Sequence, residues 1–199
     1  MRPGSRHIIK VAGQVLLDLY ACFLIPAYTL LFAGGERWFG TNFSVLALLG
    51  VGQFWGFVVW GVVLTTYFLV VMILICRTLE RYRTIAAITV LACLSLAGTL
   101  LLPYAPEIFP AAAQLHVMLA FSSCVLLMLA LLLVLLRCRG QSASCRRLLW
   151  AWGIIALVSG VLLAAVGKVS IALEVWFVIT TALLARSLLL RRVANRDIT

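Results

Sequence analysis

The chain has 199 residues, of which 65% are hydrophobic and only 11% are charged, and its mean hydropathy is +1.17. Soluble globular proteins are roughly half apolar and a quarter charged, so a water-soluble enzyme or binding domain is excluded. The net charge of +10 does not indicate nucleic-acid binding, because the basic residues lie at the ends of apolar segments and not along a face with interleaved aromatic residues. We therefore predict an integral membrane protein.

The first apolar segment follows a basic N-terminus, MRPGSRHIIK, and runs to about residue 33. This start resembles the charged head of a signal peptide. The apolar run is too long for a signal peptide, however, and it contains Asp18 and Pro26. We predict an uncleaved first span over residues 10–33, followed by a loop rich in glycine and aromatic residues, GGERWFGTNFS.

The next apolar stretch, residues 45–76, is too long for one upright helix at about 1.5 Å per residue. We predict a span over 53–76, preceded by a re-entrant or interfacial segment. Small residues that let helices approach closely occur in the second and fifth spans: Gly52, Gly56, Gly61, Gly160 and Ala164. Leu64, in contrast, is expected nearer the lipid.

Four further apolar segments follow, and each is long enough to cross a hydrocarbon core about 30 Å thick. Prolines at 103, 106 and 110 are expected to stop helix before the fourth span. The four predicted spans are 84–102, 113–136, 148–166 and 170–190. The sequence thus predicts an all-α membrane protein, a six-transmembrane-helix bundle that forms a single domain over residues 1–199.

The lysine and arginine positions predict how the chain is threaded. Only Arg37 and Lys168, of sixteen such residues, fall on one predicted side of the membrane. The other positions are 2, 6, 10, 77, 81, 83, 137, 139, 146, 147, 186, 191, 192 and 196. Because loops rich in these residues stay on the cytoplasmic side, we predict that both termini are cytoplasmic and that the membrane is the plasma membrane.

Ionisable residues inside apolar spans are costly in hydrocarbon and mark candidate functional positions that face the protein interior. Asp18 is predicted in the inner half of the membrane, on one helix face with Gln14. A hydrogen bond from Asp18 to Gln14 or to the backbone is one interpretation, and a proton or ion relay is the other. His116 and Glu174 lie only one or two turns below the outer boundary, where they can meet.

Two interpretations of His116 and Glu174 stay open. They form either a buried polar pair that fixes the helix register, or part of a polar pocket that opens to the outer leaflet and receives a lipid headgroup or a small solute. The predicted ligand-binding candidates are His116, Glu174, Tyr104, Ser123, Lys168 and Ser170.

No catalytic residue, metal site or cofactor is predicted. Ser122 and Ser123 lie too near His116 on the same helix to act as its nucleophile. One histidine with scattered carboxylates is a poor set of metal ligands.

Two short stretches, LHVMLAFSS around His116 and SIALEVWFV around Glu174, together with six spans, resemble the DRAM (damage-regulated autophagy modulator) family. That group includes relatives involved in remodelling GPI-anchor lipids. The resemblance implies a six-helix, lipid-related membrane protein in which His116 and Glu174 are functional positions.

We expect this protein to bind or sense a lipid or another amphipathic ligand near the outer leaflet, with membrane lipids as its partners. A small-solute transporter, or its membrane-embedded substrate-binding subunit, is the second hypothesis, and a lipid-modifying enzyme is the third. A blind pocket at the outer end would favour binding, and a water-filled path from His116 to Asp18 would favour transport. A nucleophile beside His116 would favour an enzyme.

Overall fold

The computed structural model describes residues 12–35, 37–79, 82–102, 104–140 and 143–196, with side chains up to residue 192. This part of the chain is helical and contains no strand. The basic N-terminal segment and Pro103 lie outside it. The helices are α1 (Ala12–Ala33), α2 (Phe43–Leu46), α3 (Val51–Cys76), α4 (Arg83–Leu101), α5 (Pro110–Cys138), α6 (Ala143–Val166) and α7 (Ile171–Arg196).

All helices except α2 are long and apolar enough to cross a membrane. These six helices overlap the six predicted spans, which confirms a multi-pass helical protein. Helices α5 and α7 continue beyond the predicted bounds into basic residues, because arginine is a good helix former and the edge of the hydrocarbon does not end a helix. Pro110 begins α5 at its first turn, where a missing amide donor costs nothing.

The segment predicted to precede the second span is a separate one-turn helix, α2. The side chain of Asn42 caps it by accepting a hydrogen bond from the amide of Val45 at 2.9 Å, which satisfies a donor that the first turn leaves free. A turn then leads into α3, which begins at Val51.

The connecting segments lie at two ends of the bundle. We call the end formed by residues 37–50, 104–109 and 167–170 the His116 end, and the end formed by 77–79 and 139–140 the arginine end. Helix α7 packs against α1, α3 and α6, and half of the residues in its most apolar stretch are buried. Helix α6 packs on α5 and α7, and only 6% of its most apolar stretch is buried.

Close helix contact occurs at two of the predicted small residues. A Cβ atom added at Gly61 would collide with Leu100 of α4, and one added at Gly56 would lie 3.1 Å from the ring of Phe32. The prediction is wrong for Gly52 and Gly160, whose added Cβ atoms meet nothing within 4 Å.

Leu64 does not lie near the lipid either. It is 2% exposed and belongs to the core. Its helix, α3, has neighbours on more than one side, and a leucine facing them looks the same in the sequence as one facing lipid.

Helix α1 contains one wide turn, Tyr20–Leu24, in which the amide of Ile25 donates to the carbonyl of Tyr20, five residues earlier. Pro26 follows at once. Proline lacks an amide donor and crowds the carbonyl four residues before it, so the wide turn gives its ring room inside a continuous span.

Candidate functional site

The loop that precedes α2 folds over the start of α7. The amide of Ile171 donates to the carbonyl of Thr41 at 2.9 Å, and the amide of Ala172 donates to the carbonyl of Trp38 at 3.0 Å. These amides belong to the first turn of a helix, where no partner exists within the helix itself. The loop therefore satisfies the helix start, and the helix start fixes the loop.

Glu174 and His116 both bind the short helix α2. A carboxylate oxygen of Glu174 accepts a hydrogen bond from the amide of Phe43 at 2.8 Å. The next residue, Ser44, places its hydroxyl oxygen 2.8 Å from Nε2 of His116. His116 and Glu174 thus bind consecutive residues of the one-turn helix α2.

The hydrogen bonds of His116 define its tautomer. Its Nδ1 lies 2.9 Å from the carbonyl oxygen of Leu102. A carbonyl oxygen can only accept, so Nδ1 carries the proton and donates it. In the neutral ring, Nε2 then presents a lone pair, and the hydroxyl of Ser44 donates to it. The imidazole is 3% exposed, so this arrangement is shielded from its surroundings.

Aromatic rings surround this polar contact. The ring of Tyr104 lies 5.6 Å from that of His116, and the ring of Phe57 lies 6.4 Å from it, centroid to centroid. Phe43 packs edge-on against Phe32 and Trp60 at 5.1 and 4.9 Å. The site therefore has apolar walls with a few polar groups at fixed positions.

The other predicted ligand-binding residues have structural partners. Lys168 donates from Nζ to the carbonyl of Gly40 at 2.7 Å, which ties the start of α7 to the loop. Ser170 is buried and accepts from the amide of Leu173 at 3.4 Å as a helix cap. Ser123 donates to the carbonyl of Ala120 at 2.7 Å, within its own helix, and does not join His116.

An open cavity of about 430 Å³, closer to a surface groove than to an enclosed chamber, lies beside this site, between the end of α1 and the start of α3. Its lining includes Leu31, Phe32, Leu46, Leu49, Gly52 and Gln53. None of the six predicted ligand-binding residues lines it. The ring of Phe57 joins the two features, since it contacts the rings of both Phe32 and His116.

The arginine half of the bundle holds an ion pair that the sequence analysis missed. Nε of Arg186 lies 2.6 Å from the carboxylate of Asp18, and Nη2 donates to the carbonyl of Gln14 at 3.0 Å. Arg186 is 2% exposed, so it lies inside the bundle and not in a connecting loop. Two buried polar atoms beside this pair, Nη1 of Arg186 and Oε1 of Gln14, have no hydrogen-bond partner.

Both missed residues, Arg186 and Ser44, left a weak signal. Asp18 lies eight residues after the start of the predicted first span, 10–33, and Arg186 lies four residues before the end of the predicted sixth span, 170–190. At about 1.5 Å per residue, both therefore lie in the half of the bundle next to the arginine end. Opposite charges in the same half of the membrane suggest an ion pair. Ser44 is marked only by the capping residue Asn42 before it, and nothing in the sequence gives its distance from His116.

Comparisons of the chain with known protein families, with curated proteins and with solved structures find no match.

Proposed function

We propose that this protein crosses the membrane six times with both termini in the cytoplasm, and that it binds a lipid or similar amphipathic molecule at the His116 end, facing the outer leaflet. The observation that carries this proposal is the cavity between α1 and α3. Its volume of about 430 Å³ falls within the range of about 300 to 1,000 Å³ typical of small-molecule sites.

The cavity walls fit a ligand with an apolar part. Leu31 is 81% exposed and Leu49 is 62% exposed, and in a membrane such leucines face hydrocarbon, so the cavity opens toward lipid tails. Gln53 supplies the polar side chain of the lining. An acyl chain suits the leucines and the Phe32 ring, while a polar headgroup suits Gln53 and the loop above it.

A cavity-filling substitution tests this proposal. Gly52 lines the cavity and its added Cβ meets nothing within 4 Å, so Gly52→Trp occupies the space without a clash at the backbone. Gly160→Trp is the matched control, because Gly160 is equally open and lies on α6, away from the cavity.

The probe is a short-chain fluorescent phosphatidylcholine titrated into the purified full chain in detergent. We expect Gly52→Trp to weaken its binding at least tenfold, about 1.4 kcal/mol, and Gly160→Trp to leave it unchanged. Equal affinity of all three proteins, or no saturable binding to the unmodified chain, contradicts the proposal.

A small-solute transporter is the second candidate. It is favoured by the polar groups of the arginine half, where Arg186, Asp18 and Gln14 lie within one hydrogen-bonded cluster that contains unpaired buried atoms. Together with His116, this cluster gives polar side chains at two depths of the bundle. Solute exchange across vesicles containing the purified protein, abolished by Asp18→Asn, would favour transport over binding alone.

A further inference from the structure

We propose that Ser44 and His116 form a nucleophile and general-base pair that acts on a carboxylic ester of the bound lipid. This inference takes its substrate class from the proposed function. The identification of Ser44 as the nucleophile rests only on the geometry of the site. It assigns a chemical role to a serine that the sequence does not mark.

The geometry meets the requirements for an activated serine. The hydroxyl of Ser44 lies 2.8 Å from Nε2 of His116, within the range of about 2.6 to 3.2 Å expected for a nucleophile and its base. The carbonyl of Leu102 holds the opposite ring nitrogen at 2.9 Å. It therefore fixes the tautomer in which Nε2 is free to take a proton, the task that a third residue performs in a triad.

Other hydroxyl groups in the described spans behave differently. Several donate to a carbonyl three or four residues earlier in their own helix, as serine and threonine commonly do in helices: Thr65, Thr89, Thr99, Ser123 and Thr180. Ser44 has an imidazole nitrogen as its partner, from a helix distant in sequence. The contact thus brings together the two side chains that an acyl-transfer site needs.

The surroundings hold the serine in place and leave it reachable. Ser44 is partly exposed, whereas His116 is 3% exposed, so the residue that carries the nucleophile reaches the surface while the base is shielded. The cap formed by Asn42 and the bond from Phe43 to Glu174 fix the turn that carries Ser44. Glu174 is in this sense a positioning residue, which acts through the backbone of α2.

The reaction follows from these positions. Oγ of Ser44 attacks the ester carbonyl while its proton passes to Nε2 of His116. The carbon–oxygen bond to the leaving group then breaks, and His116 returns the proton to the departing alkoxide as an alcohol. Water next attacks the acyl-serine with His116 again as base, which releases the carboxylic acid and restores Ser44. The balance is one ester and one water to one acid and one alcohol.

A fluorophosphonate probe tests the nucleophile without a known substrate. In the detergent-solubilised full chain, Oγ of Ser44 forms a bond to phosphorus, the phosphorus–fluorine bond breaks, fluoride leaves and His116 takes the proton. Mass spectrometry of the unmodified protein should locate the adduct on Ser44. A folded protein that gives no adduct at Ser44 overturns the proposal, and this measurement needs no variant.

Variants then separate the roles. We expect Ser44→Ala to abolish labelling and His116→Gln, which retains a hydrogen-bond acceptor but is no base, to slow it at least 100-fold, the lower range for general-base catalysis. Ser122→Ala is the matched control on α5 and should label normally. Unchanged labelling of His116→Gln overturns the role of the base.

The positioning role of Glu174 has its own readout. Glu174→Gln keeps an oxygen that accepts from the amide of Phe43, so labelling should persist, whereas Glu174→Ala should slow it. Equal labelling of the two variants overturns that role.

Failure of this inference is distinguishable from failure of the proposed function. Lipid binding without labelling rejects the nucleophile and leaves a binding protein. Labelling without saturable lipid binding retains the nucleophile and rejects the lipid ester as its substrate.

Discussion

Arg186 carries a charge and yet is 2% exposed. Its ion pair with Asp18 connects α7 to α1. The side chain of Asp18 is 49% exposed and that of Arg186 is 3% exposed, so the arginine is the more deeply buried partner. Removing Asp18 would leave an uncompensated charge inside the bundle, which costs more than the pair contributes to stability when it is intact.

We predict that Asp18 and Arg186 are energetically coupled. Asp18→Ala should lower the thermal stability of the purified protein more than the double substitution Asp18→Ala with Arg186→Met, because the double variant contains no unpaired buried charge. The expected coupling free energy is about 0.5 to 3 kcal/mol. Thermal unfolding in detergent of both single variants and the double variant measures it, and additive effects would contradict the ion pair.

The sequence indicated how far along its helix each polar residue lies, but it did not indicate which side chains each one contacts. Asp18, His116 and Glu174 were identified because a charged or polar residue interrupts an apolar span, and residue counting fixes its height in the membrane. Which side chain it meets depends on how the helices are arranged around one another. The partners Arg186 and Ser44 were therefore identified from the structure, and the sequence marked them only weakly.

At the scale of elements, length was the informative quantity. Residues 45–76 were too long for one helix, and the structure divides this region into the turn at α2 and the span Val51–Cys76. The way the preceding loop folds back was not predictable. Its contacts with α7 are backbone hydrogen bonds from Ile171 and Ala172 to Thr41 and Trp38, and backbone groups are the same in every residue.

Close packing of α3 against α4 yields a second prediction. A Cβ at Gly61 collides with Leu100, whereas one at Gly52 on the same helix meets nothing within 4 Å. Gly61→Leu should therefore destabilise the bundle by about 1 to 3 kcal/mol through overpacking. Gly52→Leu is the control and should change the unfolding temperature little. A Gly61→Leu protein as stable as the control would show that the two helices separate at no cost.

For the whole molecule, the number of membrane-spanning helices was predictable, whereas the way they pack around one another was not. Six apolar segments identified six spans. Lipid tails are as apolar as a protein core, however, so a helix face turned to lipid and one turned to a neighbour have similar compositions. For this reason, the sequence did not predict that α7 is central and α6 peripheral. It did not predict the burial of Leu64 either.

The threading of the whole molecule gives the last prediction. The His116 end should face outward, because fourteen of the sixteen lysines and arginines were predicted on the other side. Arg186 lies inside the bundle, and the remaining thirteen still outnumber Arg37 and Lys168. Single cysteines are introduced at exposed sites, as Arg37→Cys and Glu107→Cys at the His116 end and Gly140→Cys at the arginine end.

An impermeant thiol reagent is then applied to sealed cells. Arg37→Cys and Glu107→Cys should react, and Gly140→Cys should react only after the membrane is permeabilised. The unmodified chain serves as the blank for its own six cysteines, none of which forms a disulfide in the described part of the chain. Labelling of Gly140→Cys in sealed cells, with protection of the other two variants, would show that the protein has the opposite orientation. The cavity and the Ser44–His116 pair would then face the cytoplasm.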